Sequence, residues 1–262
     1  MLALRFDVDT RRGLDRALQL SALLARHELP ATFFVVMGRE ANAAEIVKLR
    51  LLAPKDSKSP LNVSAKGGKL AVLRAAALPR RVGSAQHGLL RQLMAAGHEL
   101  QPHGWSHIRW QRDLANIDPA EHLRKARDAL VPVLGALPGG WASPGRTTDA
   151  RALTAFDEAG LTYVGDLPGT EPFRPAGRST LQLPVSHFAT IAQMRAAGQS
   201  DDDVLGTWLQ AAREHPDYCC LYEHPDDLTD RELALFDRLF ASVRQRECVT
   251  LSTVAARVGP AA

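Results

Sequence analysis

The chain opens on the segment that decides its fold, LALRFDVDT at Leu2–Thr10. The apolar run Leu2–Phe6 predicts a buried first strand, and two carboxylates, Asp7 and Asp9, follow where that strand is expected to end. Like charges so close together separate their pKa values unless a cation lies between them. The segment therefore predicts the first strand of a sheet, with an acid/base or metal-binding pair at its carboxyl end.

Short apolar runs alternate with longer amphipathic segments along the rest of the chain, and this alternation predicts βα units around a parallel sheet. Further strands are predicted at Ala31–Met37, Glu99–Pro102, Trp141–Ser143, Thr162–Val164, Leu181–Val185, Tyr218–Tyr222 and Cys248–Leu251. Helices are predicted at Leu14–Arg26, Gln86–Ala96, Pro119–Leu134, Asp149–Ala159, Asp201–Glu214 and Asp230–Arg246. The pattern predicts one α/β domain over residues 1–262, a distorted (β/α) barrel of about seven strands.

Chemically active side chains recur at one position of this pattern, at or just beyond the carboxyl end of a predicted strand. They are Asp7, Asp9, His103, Arg146, Asp166 and His224. In (β/α) barrels this edge carries the active site. Strands that are far apart in sequence are therefore expected to direct their side chains at a single site.

Two histidines with three residues between them, His103 and His107, follow the third predicted strand. Imidazole and carboxylate are ligands that zinc takes in proteins, so this pair and an aspartate could hold one ion. Trp105 and Trp110 flank the pair and are expected to wall the site against water. His98 precedes the strand, and we assign it a structural role.

The phrase AGHELQPHGWSH, residues 96–107, resembles the metal-binding motif of the polysaccharide deacetylase (NodB homology) family. The resemblance implies one divalent metal ion, held by Asp9, His103 and His107. It also implies that Asp7 is the catalytic base. Zinc suits these ligands, and manganese, cobalt, nickel and iron accept the same set.

Three later segments resemble further motifs of the same family. The segment ASPGR, which ends at Arg146, implies that this arginine orients the catalytic carboxylate, and YVGD implies that Asp166 supports the catalytic histidine. The segment LYEH implies that His224 is the general acid, with Tyr222 among the substrate-binding residues. Metal-assisted hydrolysis of an amide is the reaction that these roles imply.

Within that family, the chain most resembles the deformylases of undecaprenyl-phosphate 4-deoxy-4-formamido-L-arabinose. Three segments carry this resemblance: RFDVDT, WQ at 110–111 and PFRP at 172–175. It implies hydrolysis of the formyl, or alternatively the acetyl, group of a lipid-phosphate-linked amino sugar. The residues implied in substrate binding are Trp105, Trp110, Tyr222 and Arg174. Two alternatives stay open: hydrolysis of another N-acyl sugar or small amide, and a carbohydrate-binding module without catalysis.

A basic, leucine-rich insert over residues 46–82 interrupts the series of βα units. It carries nine Lys and Arg residues, with only Asp56 opposing them. Basic and apolar residues mixed in this way suit the anionic face of a membrane, and the lack of aromatic residues argues against nucleic acid. The expected partners are therefore a lipid-linked substrate and an anionic membrane surface, with no nucleic acid.

The sequence shows neither a signal peptide nor a membrane span. Charged residues interrupt the N-terminal apolar run, and no segment reaches the roughly 18 apolar residues of a span. The expectation is a cytoplasmic protein that contacts the inner membrane peripherally. Its three cysteines, Cys219, Cys220 and Cys248, are too few for a disulfide framework and are expected to be reduced.

Overall fold

Eight β-strands form the centre of the molecule in the computed structural model, which describes residues 1–40 and 80–259. They are β1 (Leu2–Val8), β2 (Thr32–Val35), β3 (Glu99–Pro102), β4 (Gly140–Trp141), β5 (Tyr163–Val164), β6 (Leu181–Gln182), β7 (Cys219–Glu223) and β8 (Cys248–Val249). Every pairing between these strands is parallel. Each strand overlaps a predicted one, because buried strands are short apolar runs bounded by turn residues.

The strands form two parallel sheets that continue into one another. One sheet has the order β3-β2-β1-β7 and the other β4-β5-β6, while β8 pairs with β1 off this path. The backbone N–H of Ala142 donates to the carbonyl of Pro102 at 3.4 Å, and that of Ser186 donates to the carbonyl of Cys220 at 2.9 Å. The first bond joins the end of β4 to β3. The second joins β7 to the segment that follows β6. Seven strands thus follow one another around a distorted barrel, as predicted.

Nine α-helices surround the barrel within the described residues. They are α1 (Arg11–Arg26), α2 (His87–Ala95), α3 (His107–Asp113), α4 (Pro119–Leu134), α5 (Ala150–Glu158), α6 (Ile191–Ala196), α7 (Asp201–Glu214), α8 (Asp230–Val243) and α9 (Leu251–Val258). The predicted helices are all present. The sequence did not predict α3, α6 and α9, because helices of 6 to 8 residues are too short to show a clear 3.6-residue period.

Strand β1 is buried on both faces, and its two faces meet different surroundings. Leu4 and Phe6 pack in the main apolar cluster between the strands and the helices, whereas Ala3 belongs to a second cluster, inside the barrel. Because side chains alternate along a strand, Arg5 and Asp7 project to the same side as Ala3. The strand thereby places a cation and a carboxylate in the barrel interior, where neither is more than 2% exposed.

The basic insert predicted at residues 46–82 lies almost wholly outside the described residues. On either side of the gap, Glu40 N–H donates to the carbonyl of Arg80 at 2.9 Å, and Arg39 pairs with Arg81 in an antiparallel bridge. The two flanks of the segment therefore leave and rejoin the barrel side by side. The predicted membrane contact of the insert stays a prediction.

All three cysteines are free thiols: Cys219 and Cys220 are buried in β7, and Cys248 is partly buried in β8. Burial raises the pKa of Cys220 to about 12, so this thiol stays protonated. The burial of Cys219 and Cys220 agrees with the predicted structural role. No helix in the described part of the chain is both long and apolar enough to cross a membrane.

Candidate active site and metal centre

Three ligand-type side chains, those of Asp9, His103 and His107, converge at the carboxyl ends of β1 and β3. The ligand atoms that they offer all lie within 4.8 Å of one another. Nε2 of His103 lies 3.4 Å from Oδ1 of Asp9, and Nε2 of His107 lies 3.5 Å from the same oxygen. His103 directly follows β3 and His107 is the first residue of α3, so a short loop carries both rings to Asp9.

The hydrogen bonding of His103 fits it for metal binding. Its Nδ1 lies 2.8 Å from the carbonyl oxygen of Ala142. A carbonyl can only accept, so Nδ1 carries the proton and Nε2 keeps its lone pair. Burial lowers the pKa of His103 to about 4 and keeps the ring neutral, as a metal ligand must be.

Two buried polar atoms, Nε2 of His103 and Oδ1 of Asp9, have no hydrogen-bond partner among the described residues. An unsatisfied buried group costs roughly 1–3 kcal/mol, which a shared cation would remove. Burial raises the pKa of Asp9 well above its ordinary value, and the carboxylates of Asp226 and Asp7 add to the rise. A bound cation would reverse that shift. The residues present therefore fit one divalent ion.

Asp226, in the turn after β7, fixes the backbone of the Asp7–Thr10 segment. Its Oδ2 accepts from the backbone N–H of Asp9 at 3.0 Å, and its Oδ1 accepts from the hydroxyl of Thr10. Thr10 in turn caps α1 by accepting from the N–H of Gly13 at 3.1 Å. A side chain in place of Gly13 would overlap the Asp226 carboxylate. Sequence reasoning missed Asp226, whose only signal was an acidic pair directly after the last motif.

Arg5 is the residue that holds Asp7, the carboxylate predicted to be the base. Its Nε donates to Oδ1 at 2.8 Å and its Nη2 donates to Oδ2 at 2.7 Å, a bidentate pair that is buried on both sides. Its Nη1 donates to the carbonyl of Gly165 at 2.7 Å, and its guanidinium lies over the rings of Phe34 and Tyr222. Burial alone would raise the pKa of Asp7, but Arg5 holds that pKa well below its ordinary value.

Arg146, predicted to orient Asp7, makes no hydrogen bond or ion pair with it among the described residues. Arg5 occupies both oxygens of Asp7, and the guanidinium of Arg146 lies instead over the rings of Phe188 and Tyr222, at 4.4 Å and 5.7 Å. The reason is the two-residue repeat of β1, which sets residues 5 and 7 side by side on one face. An arginine within a buried apolar run was the signal in the sequence, since such a charge is rarely buried without a partner.

Asp166 also differs from its predicted role, which was to support the catalytic histidine. Its Oδ1 accepts from the backbone N–H of Ser143 at 2.7 Å, and its Oδ2 accepts from the hydroxyl of the same serine at 2.6 Å. Burial raises the pKa of Asp166 to about 6 in spite of these bonds. Asp166 therefore fixes the segment that precedes Arg146.

His224 lies beside the metal cluster, directly after β7. Its Nε2 is 3.8 Å from Oδ2 of Asp9 and 3.4 Å from the hydroxyl of Tyr222. Its backbone N–H donates to Oε1 of Glu223 at 2.9 Å, and Oε2 of that glutamate accepts from the N–H of Ile191 at 2.6 Å. The buried Glu223 thereby anchors the turn that presents His224 to the site.

Tyr222 and Trp105, two of the residues predicted to bind substrate, are half-buried. The ring of Tyr222 lies 5.1 Å from that of His224, and Trp105 lies in the loop between the two histidine ligands. Arg174 differs from its prediction, because it donates to the backbone carbonyl of Gly259, just after α9, and to one in its own turn. These contacts give Arg174 a structural role, and its predicted role in substrate binding stays a prediction.

Trp110 is completely buried, so its predicted role in substrate binding is wrong. Its Nε1 donates to the carbonyl of Thr147 at 2.8 Å, and its ring centroid lies 5.1 Å from that of Trp141 and 6.3 Å from that of Phe156. Trp110 lies three residues after His107 in α3, and its ring belongs to the main apolar cluster. Trp110 therefore anchors the helix that carries His107.

Replacing Trp110 by phenylalanine is expected to lower the free energy of unfolding by about 2 kcal/mol, because it leaves a cavity and an unpaired carbonyl at Thr147. Thermal unfolding measures the loss, which at this chain length corresponds to a melting temperature about 4–8 °C lower. Trp105→Phe, at a half-buried position, is the matched control with a smaller shift. An unchanged melting temperature in Trp110→Phe would contradict the core role.

The fold and the site together define a class of protein, a (β/α) barrel with a carboxylate and two imidazoles gathered at the carboxyl ends of its strands. Comparison with known proteins gives the family. Residues 1–164 match the family model described as polysaccharide deacetylase, and the chain belongs to that family. The resemblance drawn from the sequence motifs is thereby confirmed.

Individual relatives add detail. A probable 4-deoxy-4-formamido-L-arabinose-phosphoundecaprenol deformylase, ArnD, from Shewanella sediminis is 31% identical over 198 residues, which is 71% of this chain and 62% of that protein. The chain thus matches less than two thirds of the length of this curated relative.

Among solved structures, a Mycobacterium smegmatis protein assigned to the polysaccharide deacetylases aligns with a TM-score of 0.67 at 18% identity, over 98% of this chain and 89% of that one. A family 4 acetyl xylan esterase from Clostridium thermocellum, solved in complex with a cobalt ion, aligns with a TM-score of 0.57 at 16% identity, over 98% and 91%. At these identities the two structures show a shared fold alone.

Proposed function

We propose that the protein is a metal-dependent amide hydrolase that removes the formyl, or alternatively the acetyl, group of a lipid-phosphate-linked amino sugar. One observation carries the proposal: a buried carboxylate, Asp7, and an imidazole, His224, border the cluster of Asp9, His103 and His107. The Shewanella sediminis relative, which is named a deformylase of 4-deoxy-4-formamido-L-arabinose-phosphoundecaprenol, supports the same substrate class.

Asp9, His103 and His107 would hold the divalent ion. When bound, such an ion polarises the amide carbonyl and lowers the pKa of a water molecule. Zinc is the metal that we propose, and manganese, cobalt, nickel and iron also suit one carboxylate and two imidazoles. The bond from Nδ1 of His103 to Ala142 fixes the ring in the orientation that a ligand needs.

Asp7 serves as the general base. Its Oδ2 is 3.7 Å from Nε2 of His103, so its carboxylate borders the cluster without belonging to it. Arg5 fixes both oxygens and keeps the carboxylate ionised. Asp7 is thereby placed to accept a proton from the attacking water.

His224 serves as the general acid. An amide nitrogen is a poor leaving group until it is protonated, so the reaction needs a proton donor near the scissile bond. The Nε2 atom of His224 lies 3.8 Å from Asp9, and the Tyr222 hydroxyl at 3.4 Å steadies the ring. The side chain of His224 is 20% exposed, which lets it regain a proton from solvent.

We propose that the lipid-linked substrate is met at the cytoplasmic surface of the inner membrane. The basic, leucine-rich insert at residues 46–82 supports this from its composition, at roughly 1 kcal/mol for each basic residue close to an anionic surface. Most of the insert lies outside the described residues, so the support comes from the sequence.

Mass spectrometry of the products formed from synthetic lipid-linked formamido- and acetamido-sugars tests the proposal. We expect the metal-loaded protein to release formate from the formamido sugar. Asp7→Asn should lose at least about 10²-fold of this activity, because the proton acceptor is gone, yet keep its metal. Asp128→Asn, which removes an exposed carboxylate of α4, is the matched control and should keep full activity.

Other outcomes of the same assay would redirect the assignment. Preferential turnover of the acetamido sugar would indicate a deacetylase. Turnover of soluble small amides alone would favour the amidohydrolase alternative. A metal-loaded protein that turns over none of these substrates would contradict the hydrolase proposal and favour a carbohydrate-binding module.

A further inference from the structure

Arg146 stands at the edge of the site, beside the rings of Phe188 and Tyr222. Its guanidinium carbon lies 4.4 Å from the ring centroid of Phe188 and 5.7 Å from that of Tyr222. Phe188 is 45% exposed, so this group of side chains borders solvent. Within residues 1–40 and 80–259, Arg146 pairs with no carboxylate, and its Nη1 is buried without a hydrogen-bond partner.

The fold maintains this cation at a cost. Burial lowers the pKa of the Arg146 guanidinium, with a further contribution from the positive charge of Arg5, although Tyr222 and the carboxylates of Asp7 and Asp166 act in the opposite direction. The backbone at Arg146 is left-handed, with φ 54°, a conformation that costs a non-glycine residue about 1–2 kcal/mol. The backbone N–H of Arg146 donates to the carbonyl of Ser143 at 2.8 Å, and Ser143 is itself held by Asp166. A buried hydrogen-bond network therefore holds the loop in the conformation that presents the cation.

The contacts of Arg146 leave its hydrogen-bonding edge free. A cation–π contact uses the face of the guanidinium, whereas its five N–H donors lie in the plane. The rings of Phe188 and Tyr222 thus hold the group without using a donor. Such a planar fork matches the oxygens of a phosphate, which it can bind through two parallel bonds.

Two aromatic rings connect Arg146 to the metal cluster. The Tyr222 ring lies 5.7 Å from the guanidinium carbon and 5.1 Å from the ring of His224, whose Nε2 is 3.8 Å from Asp9. The Tyr222 ring therefore contacts both the cation and the histidine that borders the cluster. In a 4-formamido-4-deoxy sugar that is linked through C1, the amide and the phosphate lie at opposite ends of the ring.

We propose that Arg146 binds the phosphate of the substrate, the phosphodiester that joins the amino sugar to its lipid carrier, while the amide reaches the metal cluster. The inference rests on the proposed function for the class of substrate. Arg146 then acts in recognition, and Arg5 in holding the base. The consequence is selectivity for a phosphate-bearing amino sugar over a neutral one.

Two soluble substrates that differ only in the phosphate test this inference: an N-formyl amino sugar as its methyl glycoside, and the same sugar with a methyl phosphodiester at C1. Arg146→Met should raise KM for the phosphodiester about 10- to 100-fold, through loss of a charge-assisted hydrogen-bond pair. Its effect on the methyl glycoside should be much smaller. Arg124→Met, which removes an exposed arginine of α4, is the charge-matched control and should change neither KM. Equal losses on both substrates in Arg146→Met would overturn the inference.

The variant Arg146→Lys keeps the charge without the planar fork, so its KM for the phosphodiester should fall between those of the wild type and Arg146→Met. Circular dichroism checks that each variant is folded. If Arg146→Met does not fold, Arg146→Lys carries the test. A lysine variant that leaves the ratio of the two KM values unchanged would then overturn the inference.

Calorimetry measures phosphate binding without hydrolysis, so it can test this inference even if the proposed function fails. If no N-formyl sugar is hydrolysed, the proposed function fails, yet titration with citronellyl phosphate, a soluble isoprenyl phosphate, still tests Arg146. Binding that is at least about tenfold weaker in Arg146→Met than in the wild type and Arg124→Met would support the site. Equal binding to all three, or no binding to the wild type, would overturn it. Inorganic phosphate is the second probe. If the wild type binds inorganic phosphate as tightly as citronellyl phosphate, recognition of a lipid-linked phosphate is overturned.

Discussion

Replacing His103 by alanine is expected to remove the divalent ion and to slow hydrolysis by at least about 10³-fold. His103 is one of three ligand residues, and even losing a contact that supports a ligand costs 10- to 100-fold in metal affinity, so losing the ligand itself costs more. The reaction then lacks both the polarised carbonyl and the activated water, which are worth several kcal/mol. Elemental analysis of the purified variant and its rate on the formamido sugar measure the two effects.

His98→Ala is the matched control for this experiment. His98 is 4% exposed, and its Nε2 lies 2.9 Å from the Ser21 hydroxyl, away from the metal cluster. Its ring packs against Phe33, in agreement with the structural role assigned from the sequence. The variant should lose stability but keep its metal. Full metal occupancy in His103→Ala would refute the site, and equal metal loss in both variants would trace the effect to unfolding.

Replacing Arg5 by methionine is expected to lower the free energy of unfolding by about 3–5 kcal/mol, because it leaves the Asp7 carboxylate buried and unpaired. The reaction should slow as well. Misplacement of a catalytic group by about 1 Å costs on the order of 10²-fold, so kcat should fall by at least that factor while KM changes little. Denaturant unfolding and steady-state kinetics measure these losses, and elemental analysis should find the metal retained.

Two further variants isolate the role of Arg5. In an Asp7→Asn background the unpaired charge is absent, so Arg5→Met should cost clearly less stability than it does in the wild type. Arg5→Lys keeps the charge but cannot form the bidentate pair, so it should lie between the wild type and Arg5→Met in both stability and kcat. An Arg5→Met enzyme with normal kcat would show that Asp7 does not depend on Arg5.

Much of the architecture was predictable because the relevant signals are local. Apolar runs with turn residues at their ends located all eight strands that the structure describes, and helical periodicity located the longer helices. The polar residues at the ends of β1, β3 and β7 were predicted to meet at one edge, because parallel strands of a barrel end together. Asp9, His103 and His107 do lie within 4.8 Å of one another.

Predictions about individual side chains failed where a role depended on contacts between distant segments. Trp110 was placed at the site by its nearness in sequence to His107, but its ring is buried against those of Trp141 and Phe156. Arg174 was assigned to substrate by resemblance, and its contacts with two backbone carbonyls were not predicted. Asp226 was not predicted at all, because nothing local links it to Asp9.

Hydrophobic periodicity and strand direction were enough to predict the βα order, the parallel barrel and the edge where the ligands gather. The pairing of arginines with carboxylates depended instead on how the strands pack. Arg5 and Asp7 share one face of β1, and burial inside the barrel makes their pairing obligatory. Arg146 forms no ion pair among the described residues, and its Nη1 is buried without a hydrogen-bond partner. The two arginines differ because folding buries Arg5 more completely than Arg146. Burial of this kind depends on the packing of the whole barrel, so a local sequence pattern does not predict it.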